Sequence, residues 1–199
     1  MLLDEKRVKR LLERTKCMNP ERKQEESKKQ STLRKEKDNE EIKGFNPIGR
    51  VHVVAEQEEN AAVRVKAITA KQTYQFRTDE PHVNGGDETA PTPVHTLVGA
   101  LSACLETNWI YYTSFAKLDV ESIKVEVHAT IDRRFILGRE EFPARLKSIF
   151  VKSFISTNEP KHKFNHVFQK VRNLCPVGGS LHPKINLSFE NIFKSPGSN

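Results

Sequence analysis

With 199 residues, 36% of them apolar and 8% aromatic, the chain has material for one hydrophobic core and not for two. Its charged fraction of 30% exceeds the roughly 25% of an ordinary soluble domain. The net charge of +7 divides between residues 1–44, where fourteen bases are mixed with ten acids, and a nearly balanced remainder at +3. That mixing argues against a nucleic-acid surface, which needs a positive face with few acids.

No apolar run reaches the roughly 18 residues of a transmembrane helix, so no membrane partner is expected. Met1-Leu2-Leu3 turns charged at once, which predicts no secretory leader, and Asp4, Glu5 and Glu13 argue against a transit peptide. The expected setting is cytoplasmic, where thiols stay reduced and a disulfide is usually transient and catalytic. Three cysteines, Cys17, Cys104 and Cys175, are an odd set for a structural framework.

In residues 1–44, Leu3, Val8, Leu11 and Leu12 line one side of a short helix. The stretch from Glu21 to Lys43 is nearly all polar and cannot offset its ordering entropy. The reading is a mobile or surface-helical extension, followed by one domain over 45–199. Arg50–Glu56 and Ala62–Thr69 pattern as a hairpin across Glu58-Glu59-Asn60, with Lys71–Thr78 as a third strand. Asp79-Glu80-Pro81 and Gly85-Gly86 break the chain into a long turn.

Thr92-Pro93 is a helix start, a capping side chain followed by proline at the first helical position. The helix predicted from Val94 to about Phe115 is apolar on most sides, which marks a buried helix. In so short a chain, that predicts partial cover by a second subunit. Ile123, Val125, Val127, Ala129 and Ile131 alternate with polar residues, a strand with one wet face. Leu146–Ile155 is its hairpin partner, across a loop with Gly138 and Pro143. Phe164, Val167, Phe168, Val171 and Leu174 share one face of a second helix that starts near Pro160 and ends at Cys175-Pro176. Ile185, Leu187 and Phe189 close the chain as a last strand. The order defines an α+β fold.

Cys104 sits mid-helix between Ala103 and Leu105, where a cysteine reads as a small core residue or as a nucleophile. Cys175, before Pro176 and Gly178-Gly179, lies where the chain turns toward a surface or cleft. The two are far apart, with no Cys-x-x-Cys pair and scattered histidines, so no metal site is read. Neither a Gly-x-Ser-x-Gly turn nor a phosphate loop occurs, and no cofactor is expected.

Asp79-Glu80-Pro81, Gly85-Gly86, Ala90-Pro91-Thr92-Pro93 and the run from Leu97 through Ala100-Leu101-Ser102-Ala103-Cys104 resemble the signature of the OsmC/Ohr family. Asn173-Leu174-Cys175-Pro176-Val177 with Ser180-Leu181 resembles that family's second cysteine motif. The resemblance covers roughly residues 48–193. It implies antiparallel sheets around a long buried central helix in an intertwined homodimer. It further implies a thiol peroxidase for organic hydroperoxides, with Cys104 oxidised to a sulfenic acid and Cys175 condensing with it to a disulfide. A dithiol reductant, lipoyl-type or thioredoxin-type, would restore both thiols.

The chain departs from the pattern in one respect. The family's active peroxidases carry, near the proline that opens the central helix, a Glu that holds a thiolate-activating Arg. Val94 and His95 stand there instead. Arg64 is the nearest match to the Arg, Arg77 the second, and Glu80 or Glu88 substitutes for the Glu only if the loop folds back. A thiolate needs a nearby cation, and His95 is a further source of charge, although a regular helix from Pro93 turns it away from Cys104. The missing Glu leaves room for an OsmC-like small-molecule or redox-sensing binder without turnover. A third reading is an interaction protein whose charged N-terminal segment docks on a partner and whose cysteines are core. Cys17, in a polar context, reads as a bystander.

Overall fold

A computed structural model of the chain describes residues 3–9 and 49–197. Cys17, Leu11, Leu12 and the polar stretch from Glu21 to Lys43 lie outside the described residues. Residues 5–9 are helical.

The first sheet has three antiparallel strands in sequence order, β1 (His52–Gln57), β2 (Val63–Ile68) and β3 (Thr73–Thr78). The register aligns Val53 with Ala67 and Ala67 with Tyr74, and two residues along it aligns Ala55 with Val65 and Val65 with Phe76. Because side chains alternate along a strand, these six share one face, while Glu56, Arg64, Lys66 and Arg77 share the other. The sheet packs extensively against neither the long helix nor the second sheet. Val53, Tyr74 and Phe76 are accordingly left exposed.

The long turn from 79 to 92 is organised by one carboxylate. Buried Asp79 accepts from the backbone N–H of Thr89 at 3.0 Å, its hydroxyl at 2.8 Å, and the N–H groups of Glu80 and Asp87 at 2.8 and 3.3 Å. Gly86 is buried against the Glu80 carbonyl, where no Cβ fits. The turn delivers Thr92, whose hydroxyl accepts from His95 N–H at 3.3 Å and caps α1 (Pro93–Phe115).

Helix α1 lies along the second sheet, formed by β4 (Ser122–Ile131), β5 (Leu146–Ser156) and β6 (Asn186–Lys194). Leu101, Leu105 and Trp109 enter the core beside Ile149, Val151 and Ile155 of β5. The indole N–H of Trp109 donates to Ser153 Oγ at 3.0 Å, so this buried polar pair satisfies itself. Helix α2 (Phe164–Asn173) follows a short 3-10 turn at Lys161–Lys163 and adds Phe164, Val167 and Val171 to the same core.

One expectation changes. β4 and β5 pair antiparallel, but β5 and β6 pair parallel, so the second sheet is mixed and not purely antiparallel. The cause is α2, which occupies the connection between β5 and β6; a helical crossover returns the chain in the direction it came from. Helix α1 is incompletely buried within the chain, with Leu97 and Tyr111 exposed, in keeping with the partial cover expected of it.

Candidate thiol site

Both cysteines are placed by helix geometry. Cys104 is half-buried in the middle of α1, and Cys175 is buried where the chain leaves α2. Their sulfurs lie 3.2 Å apart with Cys175 as donor, although 71 residues separate them. A disulfide spans about 2.05 Å, so closing one requires about 1 Å of movement.

Pro176 follows Cys175 and opens a single helical turn, Pro176–Gly179, for which Cys175 is the cap; Gly178 N–H donates to its sulfur at 3.3 Å. Burial nevertheless dominates and pushes the Cys175 thiol up to about 11, with the neighbouring Cys104 adding to the rise and the Gly178 N–H opposing it. Cys175 therefore stays protonated at neutral pH, while Cys104 is the less buried residue of the two. The two thiols thus sit in unequal environments.

Beside Cys175 opens a cleft of about 340 Å³, lined by Leu101, Leu105, Arg172, Asn173, Cys175, Leu187 and Phe189 and by the side-chain-free Gly178 and Gly179; Cys104 is not among the lining residues. Arg64 and His95 are not among the lining residues. Arg64 and Arg77 face each other across β2 and β3, and Glu58 bridges both, bonding the Arg77 guanidinium at 2.6 Å and pairing with that of Arg64. Two like charges directly opposite would repel; the arginines, Arg77 first, hold the Glu58 carboxyl below its usual range. His95 is exposed at the first turn of α1, its Nδ1 2.8 Å from the Thr92 hydroxyl. Glu80 accepts from Asn84 Nδ2 at 3.0 Å.

Two residues at the site were not anticipated. Asn108 is buried and donates from Nδ2 to the Val171 carbonyl at 3.2 Å. Its only signal in the sequence is a polar side chain one helical turn from Cys104. Arg172, between Val171 and Asn173, carries no signal at all. Among the described residues no group of three His, Cys, Asp or Glu side chains gathers to hold a metal ion. No described helix is long and apolar enough to cross a membrane.

A model of the family described as OsmC-like protein matches residues 85–190, more than half of the chain, and the chain belongs to that family. No functionally curated protein matches the sequence. Solved structures share the fold. An OsmC-like protein of Mycoplasma pneumoniae is 15% identical over 73% of this chain and 97% of its own, with a TM-score of 0.59. An organic hydroperoxide resistance protein OsmC of Legionella pneumophila is 13% identical over 74% and 99%, with a TM-score of 0.57. An organic hydroperoxide resistance protein of Elizabethkingia anophelis is 15% identical over 75% and 100%, with a TM-score of 0.56.

Proposed function

We propose that the protein is a two-cysteine peroxidase that reduces organic hydroperoxides in a reducing, cytoplasmic setting as part of oxidative-stress defence. The observation that carries this reading is the 3.2 Å approach of the sulfurs of a partly buried cysteine and a buried one. The Cys104 thiolate attacks the terminal oxygen of the hydroperoxide; the O–O bond breaks and the alkoxide takes a proton to leave as an alcohol. Cys104 is now a sulfenic acid. The Cys175 sulfur displaces its oxygen, an S–S bond forms, and water leaves with the Cys175 proton. Two thiols have given two electrons, and the second thiol captures the sulfenic acid before it is oxidised further. A lipoyl-type or thioredoxin-type dithiol returns the electrons.

The working unit in this reading is a homodimer. An amphipathic sheet whose apolar face is uncovered, together with exposed Leu97 and Tyr111 on α1, supports it, since contiguous apolar surface of this kind marks an interface. Arg64 lies away from the thiol cleft of its own chain, so it serves Cys104 only if the hairpin of a second copy brings it there. A second reading, a binder without turnover, draws on Val94 and His95 standing where the family's active peroxidases carry Glu.

Intact mass and free-thiol content after one equivalent of cumene hydroperoxide test the proposal. Wild type should lose two thiols, and Cys175→Ser should hold a sulfenic acid at Cys104. Retention of both thiols, while a control thiol peroxidase consumes the same peroxide, would leave the binder.

A further inference from the structure

The loop between β4 and β5 holds apolar surface that neither the thiol pair nor the open face of the first sheet explains. Ile136 and Leu137 are 50% and 75% exposed, and among the described residues they are the one pair of exposed large apolar side chains adjacent in sequence. They stand on a 3-10 helix, Arg133–Leu137, capped by the Asp132 side chain, which accepts from Arg134 N–H. Gly138 closes that turn in the left-handed region, φ 72°, with its N–H on the Phe135 carbonyl. The Arg134 guanidinium grips both Asp132 oxygens and lies 3.6 Å from the Phe142 ring centroid, so the two limbs of the loop are tied together. Internal bonds thus hold the tip with its aliphatic side chains turned to solvent.

Charge around the tip leans to bases. Residues 132–147 hold five bases against three acids. Arg134 meets Asp132 and Arg139 meets Glu141, whereas Arg133 and Arg145 make no ion pair among the described residues. We propose that the tip is a peripheral membrane contact, in which Ile136 and Leu137 enter the interface of an anionic lipid bilayer while Arg133 and Arg145 meet its headgroups. Surface binding of this kind grows with buried apolar area and with attraction to anionic lipid. A soluble anion would satisfy the bases and leave both aliphatic side chains in water. The Gly138 and Phe142 N–H groups bond to the Phe135 and Arg139 carbonyls at 3.0 and 3.1 Å, so these backbone groups are not stranded on entry. The expectation of no membrane partner concerned spanning helices, and lying on a bilayer requires none. The contact needs no turnover at the cysteines and goes beyond the proposed function.

Co-sedimentation of the full-length protein with vesicles tests the contact. Wild type should bind phosphatidylcholine vesicles containing about one-third phosphatidylserine, and bind pure phosphatidylcholine more weakly. The double variant Ile136→Ser, Leu137→Ser keeps every charge, those of residues 1–44 included, and should bind the mixed vesicles about tenfold more weakly. Both side chains are exposed, so its melting should match wild type. A second variant, Leu137→Trp, should shift its emission to the blue on the mixed vesicles and be quenched by lipid brominated in its acyl chains, against a constant signal from buried Trp109. Failure of wild type to bind overturns the inference, as does equal binding to both vesicle compositions. Undiminished binding by the double serine variant overturns it too, since only attraction between charges would remain. So does Leu137→Trp emission that vesicles leave unmoved. A double serine variant that loses an oligomeric state held by wild type in light scattering makes the tip an interface between copies and likewise overturns it. Reduction of cumene hydroperoxide without vesicles judges the peroxidase reading separately, so either proposal can fail while the other stands.

Discussion

The side-chain amide of Asn108 reaches the Val171 carbonyl one helical turn from each sulfur, since Asn108 follows Cys104 by four residues and Val171 precedes Cys175 by four. The last carbonyls of a helix have no amide of their own helix to accept from, and Asn108 supplies one from α1. The bond therefore fixes the two helices at the level where the thiols meet. Asn108→Ala removes the donor and leaves a buried carbonyl without it, at a cost of about 1–3 kcal/mol. Urea unfolding should show that loss. Disulfide formation after peroxide, followed by free-thiol titration, should slow as well, because the sulfurs no longer hold their spacing. An unchanged rate in a destabilised variant would mean that the bond supports the fold and not the pair.

The unequal thiols predict an unequal response to pH. Alkylation by iodoacetamide, located by peptide mass, should reach Cys104 first at neutral pH and Cys175 only as pH approaches about 11. The sign for stability follows. A thiol raised from the ordinary 9.0 to about 11 favours folding fully below pH 9, and that contribution is lost as pH climbs through 11. Cys175→Ser should thus lose less stability than wild type over that alkaline range. Equal alkylation of both thiols at pH 7.5 contradicts the division of work.

Asp79 gives the opposite sign. Backbone and hydroxyl donation from Thr89, ahead of the Glu80 and Asp87 amides, holds its carboxyl at about 2, below the ordinary 3.8. The stabilisation is complete above pH 4 and disappears as pH falls toward 2. Asp79→Asn cannot accept all four bonds, so it should melt lower at pH 7 and show a flatter pH dependence between 4 and 2. A parallel pair of melting curves would argue against this role.

Gly86→Ala should destabilise by about 1–3 kcal/mol, because its Cβ would collide with the Glu80 carbonyl and lie 2.7 Å from Asp79 Oδ1. The backbone must shift, and with it the turn that sets Thr92 at the head of α1. Thermal melting measures the cost, and a neutral result would show that the turn has room to adjust.

If the apolar face of the first sheet is an interface, Phe76→Glu should convert a dimer to monomers in light scattering. A wild type that is monomeric at 100 times its assay concentration overturns the assembly outright.

Much of this arrangement was legible in the chain itself. The alternation from Ile123 to Ile131 marked β4, and Thr92-Pro93 marked the start of α1, because local periodicity and capping act within a few residues. The pairing sense of β6 was not legible. Ile185, Leu187 and Phe189 alternate in the same way in either direction, and only the crossover through α2 makes the strand parallel. Cys104 and Cys175 were marked by their motifs, whereas Asn108 and Arg172 were missed. What Asn108 bonds and which cleft Arg172 lines are settled by helix packing and not by sequence neighbours. Arg64 shows the converse: a nearby acid, Glu58, captures it before it has any bearing on the thiols of its own chain.

The parallel pairing of β5 with β6 also orders events in time. The hairpin of β4 and β5 closes locally, but β6 can join only after α2 and the turn at Cys175 have crossed back over the sheet. Long-range closures of this kind are slow compared with hairpins and helices. Until that crossover docks on α1, Cys175 is remote from Cys104, and a nascent or partly unfolded chain has no partner ready to trap a sulfenic acid. Under the proposed function, newly made protein exposed to peroxide would be open to irreversible over-oxidation at Cys104 until the crossover has docked.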